Sequence, residues 1–385
     1  MPPVELELPA AARRILTQAR SDRDGARAAL AALPVDDQVA LVCETPVARR
    51  AELLDLLPAP EQVVPRLPEA ELCFTVKAIG LADAGWLLAH ATDEQVQACV
   101  DLDAWSADDV PDRERLSAWL AALVEGGDDA ILRAVHALDG ELLMLWLADR
   151  IEVFLKPNDD PGWQPPVGAR TLEGQFYVLA RRSGDDLEDA LRVLQLLFES
   201  DYWLYFRLLQ AVSWESGPDN EEFALRWRTG RLQDLGFPPR EEAIAIYAPP
   251  RRSEIESLPD APAAGVGEWH LPVWMPELPA AADPGLPLFR AAAELDPAAR
   301  RSFFYAFVAL ANQVAVADRL PLGDAESLPR AIEKAATTAS AGLEALAERH
   351  GVAPAEVLRR APLARLFRIG HRLVGARVDP EQGPS

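Results

Sequence analysis

Four arginines, Arg207, Arg226, Arg228 and Arg231, lie in or beside the densest aromatic stretch of the chain. Residues 171–247 hold twelve of its twenty-seven aromatic side chains and four of its five tyrosines. Planar guanidinium groups set against aromatic faces can grip a phosphate, a nucleotide or a carboxylate through paired hydrogen bonds. In such an anion-binding pocket Tyr202, Trp203 and Trp227 would form walls, and Glu173 or Tyr177 would move a proton. Five carboxylates, Glu221, Glu222, Asp234, Glu241 and Glu242, stand close enough in sequence to neutralise all four cations, and this internal pairing is the expectation. Thr229-Gly230-Arg231 lacks the spaced glycines and the Lys-Ser/Thr pair of a phosphate loop, so that chemistry is set aside.

The remaining reactive types are weaker as sites. Asp101, Asp103, Asp108, Asp109 and Asp112 could gather a hard cation through oxygen ligands, but their spacing matches no calcium loop and acids at helix starts account for them. No metal site is expected. His136, Asp139 and Glu141 could pass protons, yet no nucleophile is near in sequence, and a capped turn at Asp139-Gly140 is the preferred reading. Asn312, Gln313 and Asp318 interrupt an otherwise apolar helix and need partners, for which Lys334, Thr337, Thr338 and Ser340 are candidates. No catalytic residue is assigned, and no motif names a cofactor.

The elements that must position these groups read as helices. Residues 9–33 give one or two alanine-rich helices with a break at 21–24. From there to about residue 150 one phrase recurs: Leu33-Pro34 with Asp37-Gln38-Val39, Leu57-Pro58 with Glu61-Gln62-Val63, and Ala91-Thr92 with Glu94-Gln95-Val96. Each opens a short helix with Pro or Thr and early acids. Short helices must bury their apolar stripes on neighbours, the physics of an α-solenoid. Trp86, Trp105, Trp119 and Trp146 fit inter-helix packing in that array.

Residues 156–166 are proline-rich and cannot sustain a helix or a sheet, so they read as a linker. Residues 171–177 follow as a helix start capped by Thr171. Residues 187–198 and 202–214 are apolar on nearly every side and belong in an interior. A third helix, capped by Asp219 or Asn220, stops at Gly236, and residues 240–247 form a short fourth. Residues 248–288 carry nine prolines, but residues 269–275 hold too much apolar surface to stay in water and should lie on a helical body as an extended strap. Asp296-Pro297 opens a helix to about residue 320, and another runs from about 324 to 350. Residues 355–378 contain six arginines against one acid, a basic amphipathic helix that could touch a membrane surface or a partner, or dock on the chain's own acids.

The whole-chain balance narrows the function class. At 385 residues with a formal charge of −23 and 49% hydrophobic content, the chain is long enough for two or three domains with real cores. That charge repels nucleic-acid phosphates, so no nucleic-acid partner is expected. Three cysteines, far apart and odd in number, argue against a disulfide framework and for a reducing cytoplasm. No run reaches the roughly 20 apolar residues of a membrane span.

Two resemblances follow from particular phrases. Glu52-Leu-Leu-Asp-Leu-Leu-Pro58, Val64-Pro-Arg-Leu-Pro-Glu69 and the acidic-Gln-Val helix starts make residues 28–150 similar to the superhelical N-terminal domain of MgtE-type magnesium transporters and, more loosely, to armadillo-like domains of the flagellar rotor switch. No membrane domain and no nucleotide-binding CBS pair follow residue 150, so transport is not expected. Leu72-Cys-Phe-Thr-Val-Lys-Ala-Ile-Gly-Leu81, the 171–177 phrase, Asp201-Tyr-Trp-Leu-Tyr-Phe-Arg207 and Arg226-Trp-Arg-Thr-Gly-Arg231 with the Phe237-Pro-Pro239 that follows resemble an uncharacterised bacterial family, domain of unknown function 6178. That resemblance spans most of the chain and implies no activity.

The expectation is therefore an all-α protein. Residues 1–155 form a solenoid-like domain, 156–170 a linker, 171–247 an aromatic-rich core, 248–295 a proline-rich strap, and 296–385 C-terminal helices on that core. The expected role is a non-catalytic cytoplasmic scaffold or adaptor for a protein partner, as helical arrays often serve. The alternatives are an enzyme or ligand sensor using the anion pocket, and a soluble cation-responsive regulator using the acidic half.

Overall fold

A computed structural model describes residues 10–181, 187–214, 217–259, 269–273 and 285–378, with side chains through 374. The described residues are predominantly helical and divide into two compact units, 1–230 and 231–385.

In the first unit, α1 (Ala10–Ala19) and α2 (Arg23–Ala31) pair, separated by a break in which the Asp22 carboxylate accepts from the Gly25 N–H at 2.9 Å. Then come α3 (Val35–Glu44), α4 (Val47–Leu54), α5 (Pro60–Val63), α6 (Glu69–Ile79), α7 (Gly85–Leu88), α8 (Asp93–Asp103), α9 (Arg113–Glu125), α10 (Asp128–Ala137) and α11 (Gly140–Arg150). The recurring phrases do open helices. Pro34 sits at the N-cap of α3, and Thr92 with Gln95 forms a reciprocal capping box at α8. The same Gln95 reaches back with its amide to the carbonyls of Val64 and Leu67, at 2.8 and 2.7 Å, so one side chain caps its own helix and pins the turn before α6.

Packing proceeds by near neighbours: α4 on α6, α6 on α8, α8 on α10, and α10 on α12 (Glu188–Ser200). Trp119 and Trp146 are buried between helices, whereas Trp86 is 41% exposed. A buried cation not anticipated from sequence ties three of these elements. Arg50 on α4 pairs with Glu71 of α6 at 2.7 Å and donates to the carbonyls of Cys43 and Thr45, which satisfies its guanidinium away from water.

The chain is not all-helical. Residues 151–155 and 176–180 form an antiparallel pair, β1 (Ile151–Leu155) and β2 (Phe176–Ala180), with Ile151 opposite Ala180 and Leu155 opposite Phe176. Both runs are rich in β-branched and aromatic residues, which fit a pleated surface better than a helix. The expected helix start at Thr171 is thus corrected. The Thr171 hydroxyl does accept from a backbone N–H, that of Gly174 at 2.8 Å, but it closes a turn in which Gly174 has φ +80° and which leads into β2.

Two further corrections concern α13 (Tyr202–Trp214) and α14 (Gly217–Asp234). Helix α14 begins before Asn220, with Pro218 in its first turn where a missing N–H costs nothing, and Asn220 is buried inside it. Helix α13 buries Tyr205, Leu208, Leu209 and Ala211 on one side only. The helical period leaves Trp203 (73% exposed) and Trp214 (64%) outside, so the expectation of a fully interior helix fails.

The second unit contains α15 (Arg240–Ile244), α16 (Arg252–Glu256), α17 (Pro287–Ala293), α18 (Pro297–Ala317), α19 (Ser327–His350), α20 (Pro354–Arg360) and α21 (Leu363–Val378). Its core gathers Phe289, Phe303, Phe307, Leu343, Leu366 and Phe367 among many alanines. Helices α19 and α21 meet backbone to backbone. A Cβ built on Gly342 would stand 1.9 Å from the Leu366 carbonyl oxygen, and one on Gly370 would stand 1.8 Å from that of Thr338. Asp296 caps α18 and Gly351, at φ +63°, ends α19, both as read from sequence. Of the expected strap at 269–275, residues 274 and 275 lie outside the described residues. Within 269–273, Val273 is buried and the Trp269 ring covers Gly236.

Candidate functional site

The arginines proposed as an anion site have different surroundings. Arg228 is 7% exposed. Its Nε donates to the Asp101 carbonyl at 2.8 Å, one Nη donates to Asp109 Oδ1 at 3.0 Å, and the group stacks on the Trp105 ring at 4.7 Å. Asp109 adopts φ +60°, a left-handed conformation that aspartate tolerates, at the tip of the 105–111 loop. Arg228 is therefore committed to holding that loop. Arg231 is half-buried and has a partner of its own. Arg207 and Arg226 are exposed, and among the described residues neither is paired with a carboxylate. By contrast, Arg113 holds Asp149 and Glu221, Arg115 holds Asp103 and Asp112, and Arg192 holds Asp128.

The groups assigned to proton transfer serve the β-turn. Both Glu173 oxygens accept backbone N–H groups at 3.0 Å, from Gln175 and Phe176, and Oε1 also accepts the Tyr205 hydroxyl at 3.5 Å. Burial, reinforced by the Glu173 charge, pushes the Tyr205 phenol well above its ordinary range, so it remains a proton-bearing group. Tyr177 packs edge-on against Trp163 at 5.1 Å, which draws the 156–166 segment onto the hairpin. A cavity of about 240 Å³ lies beside this turn, between Arg170, Phe176, Leu191, Leu194 and Tyr205.

Two uncommitted surfaces remain in the first unit. On α13, Trp203, Arg207, Gln210 and Trp214 are spaced by four, three and four residues and share one face. Tyr202, 41% exposed, lies against Trp203 at 6.4 Å between ring centroids. On α14, Phe223 (50% exposed), Arg226, Trp227 (55%) and Gly230 form a second exposed face, while Ala224 and Arg228 point inward. Nothing in composition marks these aromatics as exterior. Only the choice of which helical face turns inward does so.

In the second unit the polar residues of α18 find partners, partly as expected. Lys334 donates to Asp318 at 2.6 Å, and the Tyr247 hydroxyl donates to the other Asp318 oxygen at 2.6 Å. Lys334 also lies 5.0 Å from the Tyr247 ring, whose centroid is 4.8 Å from that of His371. Burial pulls Lys334 down, but hydrogen bonds to Asp318 and Tyr247 outweigh it and hold the ammonium above its usual value. Asn312 and Gln313 instead donate to the carbonyls of Gly236 and Glu242, at 3.2 and 3.1 Å, and Ser340 accepts from the Leu288 N–H. The basic helix docks on its own unit. Arg365 donates to the carbonyls of Glu254 and Ser257, and Arg368 pairs with the Glu254 carboxylate. A cleft of about 770 Å³ runs along α18 over Phe303, Ala306 and Leu310, walled by Pro238 and Leu363.

Comparison with known proteins places the chain without assigning it chemistry. A model of a family of unknown function, DUF6178, matches residues 27–376. The chain belongs to the DUF6178 family. No curated protein and no solved structure matches it. For this DUF6178 member the likeness of residues 28–150 to the transporter domain gains no support from these comparisons. Among the described residues no helix is long and apolar enough to cross a membrane, and no cluster of three His, Cys, Asp or Glu is placed to hold a metal ion.

Proposed function

We propose that this DUF6178 protein is a non-catalytic, cytoplasmic scaffold or adaptor that binds a protein partner through exposed helix faces of residues 1–230. The observation that carries this reading is the exposure of Trp203, Trp214 and Trp227 beside Arg207 and Arg226, two cations without carboxylate partners among the described residues. Tryptophan, tyrosine and arginine dominate the energetics of protein interfaces. Large aromatics held in water at 55–73% exposure are costly unless something covers them. The succession of α4, α6, α8, α10 and α12 supports a solenoid-like arrangement, the architecture that offers extended surfaces of this kind. An anion pocket built on the four arginines has less support, because Arg228 is fully engaged and the Glu173 oxygens anchor a turn.

Affinity capture from the native cell tests the reading, with the wild-type chain compared against a Trp203→Ala/Trp227→Ala variant of unchanged helicity. At least one protein retained by the wild type should be lost by the variant. An identical set of captured proteins, or enrichment of a small molecule alone, would remove the basis for an adaptor.

A further inference from the structure

We infer that the exposed face of α13 is a self-association surface, occupied by the same helix of a second copy of this chain running antiparallel. This rests on the reading of that face as a protein-binding surface and names what binds there. The face is self-complementary in the way a two-fold interface requires. Its residues are Trp203, Arg207, Gln210 and Trp214, and their spacing is the same read from either end. With the axis between Leu208 and Leu209, Trp203 of one copy meets Trp214 of the second, and Arg207 meets Gln210.

Two chains of −23 repel at long range, and the α13 face adds no local repulsion to that. Helix α13 carries no carboxylate and a single cation, so pairing the two faces sets no acid against acid in a chain of net charge −23. The guanidinium of each Arg207 finds an amide oxygen and not its own symmetry mate, and a hydrogen bond with one charged member is the stronger kind. Area is also sufficient to seed an interface. An aromatic side chain buries about 150–250 Å², and Trp203, Trp214 and Tyr202 are 73%, 64% and 41% exposed. Those three side chains offer roughly half of the ~800 Å² per partner in a standard interface, and they close its two ends around the central Arg207–Gln210 pairs.

Sedimentation velocity of the full chain at micromolar concentration is the test. The wild type should run as a dimer, and Trp203→Ala/Trp214→Ala should weaken association at least about a hundred-fold, to monomer, with its circular dichroism unchanged. Because Cys43, Cys73 and Cys99 are buried, an Arg207→Cys/Gln210→Cys variant oxidised with diamide gives an independent readout, and a disulfide-linked dimer is expected. A monomeric wild type overturns the inference, as does a tryptophan variant that stays dimeric or a cysteine variant that does not cross-link. A monomeric wild type that still captures another protein through Trp203 and Trp227 would leave the adaptor reading standing.

Discussion

Arg228 shows what a buried cation in this chain is for. It lies under Trp105, bonded to the Asp101 carbonyl and to Asp109, and removing it would strand the Asp109 carboxylate on a loop that already holds a left-handed residue. The Arg228 side chain is buried but that of Asp109 is 37% exposed, so losing this pair costs about 1–3 kcal/mol, less than a pair buried on both sides. Arg228→Met should therefore lower urea-derived stability by that order, and Arg228→Met/Asp109→Asn should recover part of it, since the partner charge is then gone. Glu254 gives a pH signature. Burial alone would raise its carboxyl, but the Arg251 N–H and the Arg368 guanidinium outweigh that and hold it below its ordinary value. A carboxylate depressed in the folded state contributes stability above its unfolded pKa of about 4.3, and that contribution is lost as pH falls through the lower folded value. The wild type should lose thermal stability between about pH 4.5 and pH 3 more steeply than Glu254→Gln, as read by calorimetry across that window. Single residues of this kind were only partly legible beforehand. The acids at 221, 222, 234, 241 and 242 suggest internal pairing for all four central arginines, but Arg207 and Arg226 have no carboxylate partner among the described residues, and the partners of Arg228 lie more than a hundred positions away.

Among the elements, the α19–α21 contact is set by two glycines. The carbonyls of Leu366 and Thr338 occupy the space where side chains at 342 and 370 would begin, and those obstacles are backbone, which cannot rotate aside. Gly342→Ala and Gly370→Ala should each destabilise by several kcal/mol in chemical denaturation, in the range of overpacked cores. Gly140→Ala, at a position where a Cβ meets nothing within 4 Å, should stay within about 1 kcal/mol of wild type. Helix starts and stops were readable because they depend on local chemistry: Thr92 with Gln95, Asp296 before Pro297, Gly351 after His350. The hairpin was not. Ile151–Leu155 follows a helix with no breaker other than its own β-branched content, and its partner strand lies beyond a proline-rich segment, so only the long-range pairing makes either a strand. The orientation of α13 was equally hidden, since a helix apolar on most sides gives no signal of which side is left outside.

For the molecule as a whole, charge is the dominant property. At −23 the chain should pass unretained through a heparin column at about 0.15 M salt and bind an anion exchanger, because long-range repulsion outweighs the local basic helix, whose Arg365 and Arg368 already serve Glu254, Ser257 and each other's surroundings. Strong retention on heparin would show that the arginines near the C-terminus act outward. The predominance of helix was legible from the spacing of apolar residues along most of the chain, while membership of DUF6178 came from phrases spread across both units.

The three thiols lend themselves to one more use. Cys43, Cys73 and Cys99 sit on α3, α6 and α8 with at most 7% of their surface in contact with water, and burial raises the Cys43 and Cys99 thiols well above the range in which they ionise. A water-borne alkylating reagent can reach them only when those helices part. The rate of modification is thus an intrinsic clock for the opening of residues 1–230, and it is silent about residues 231–385, which contain no sulfhydryl at all.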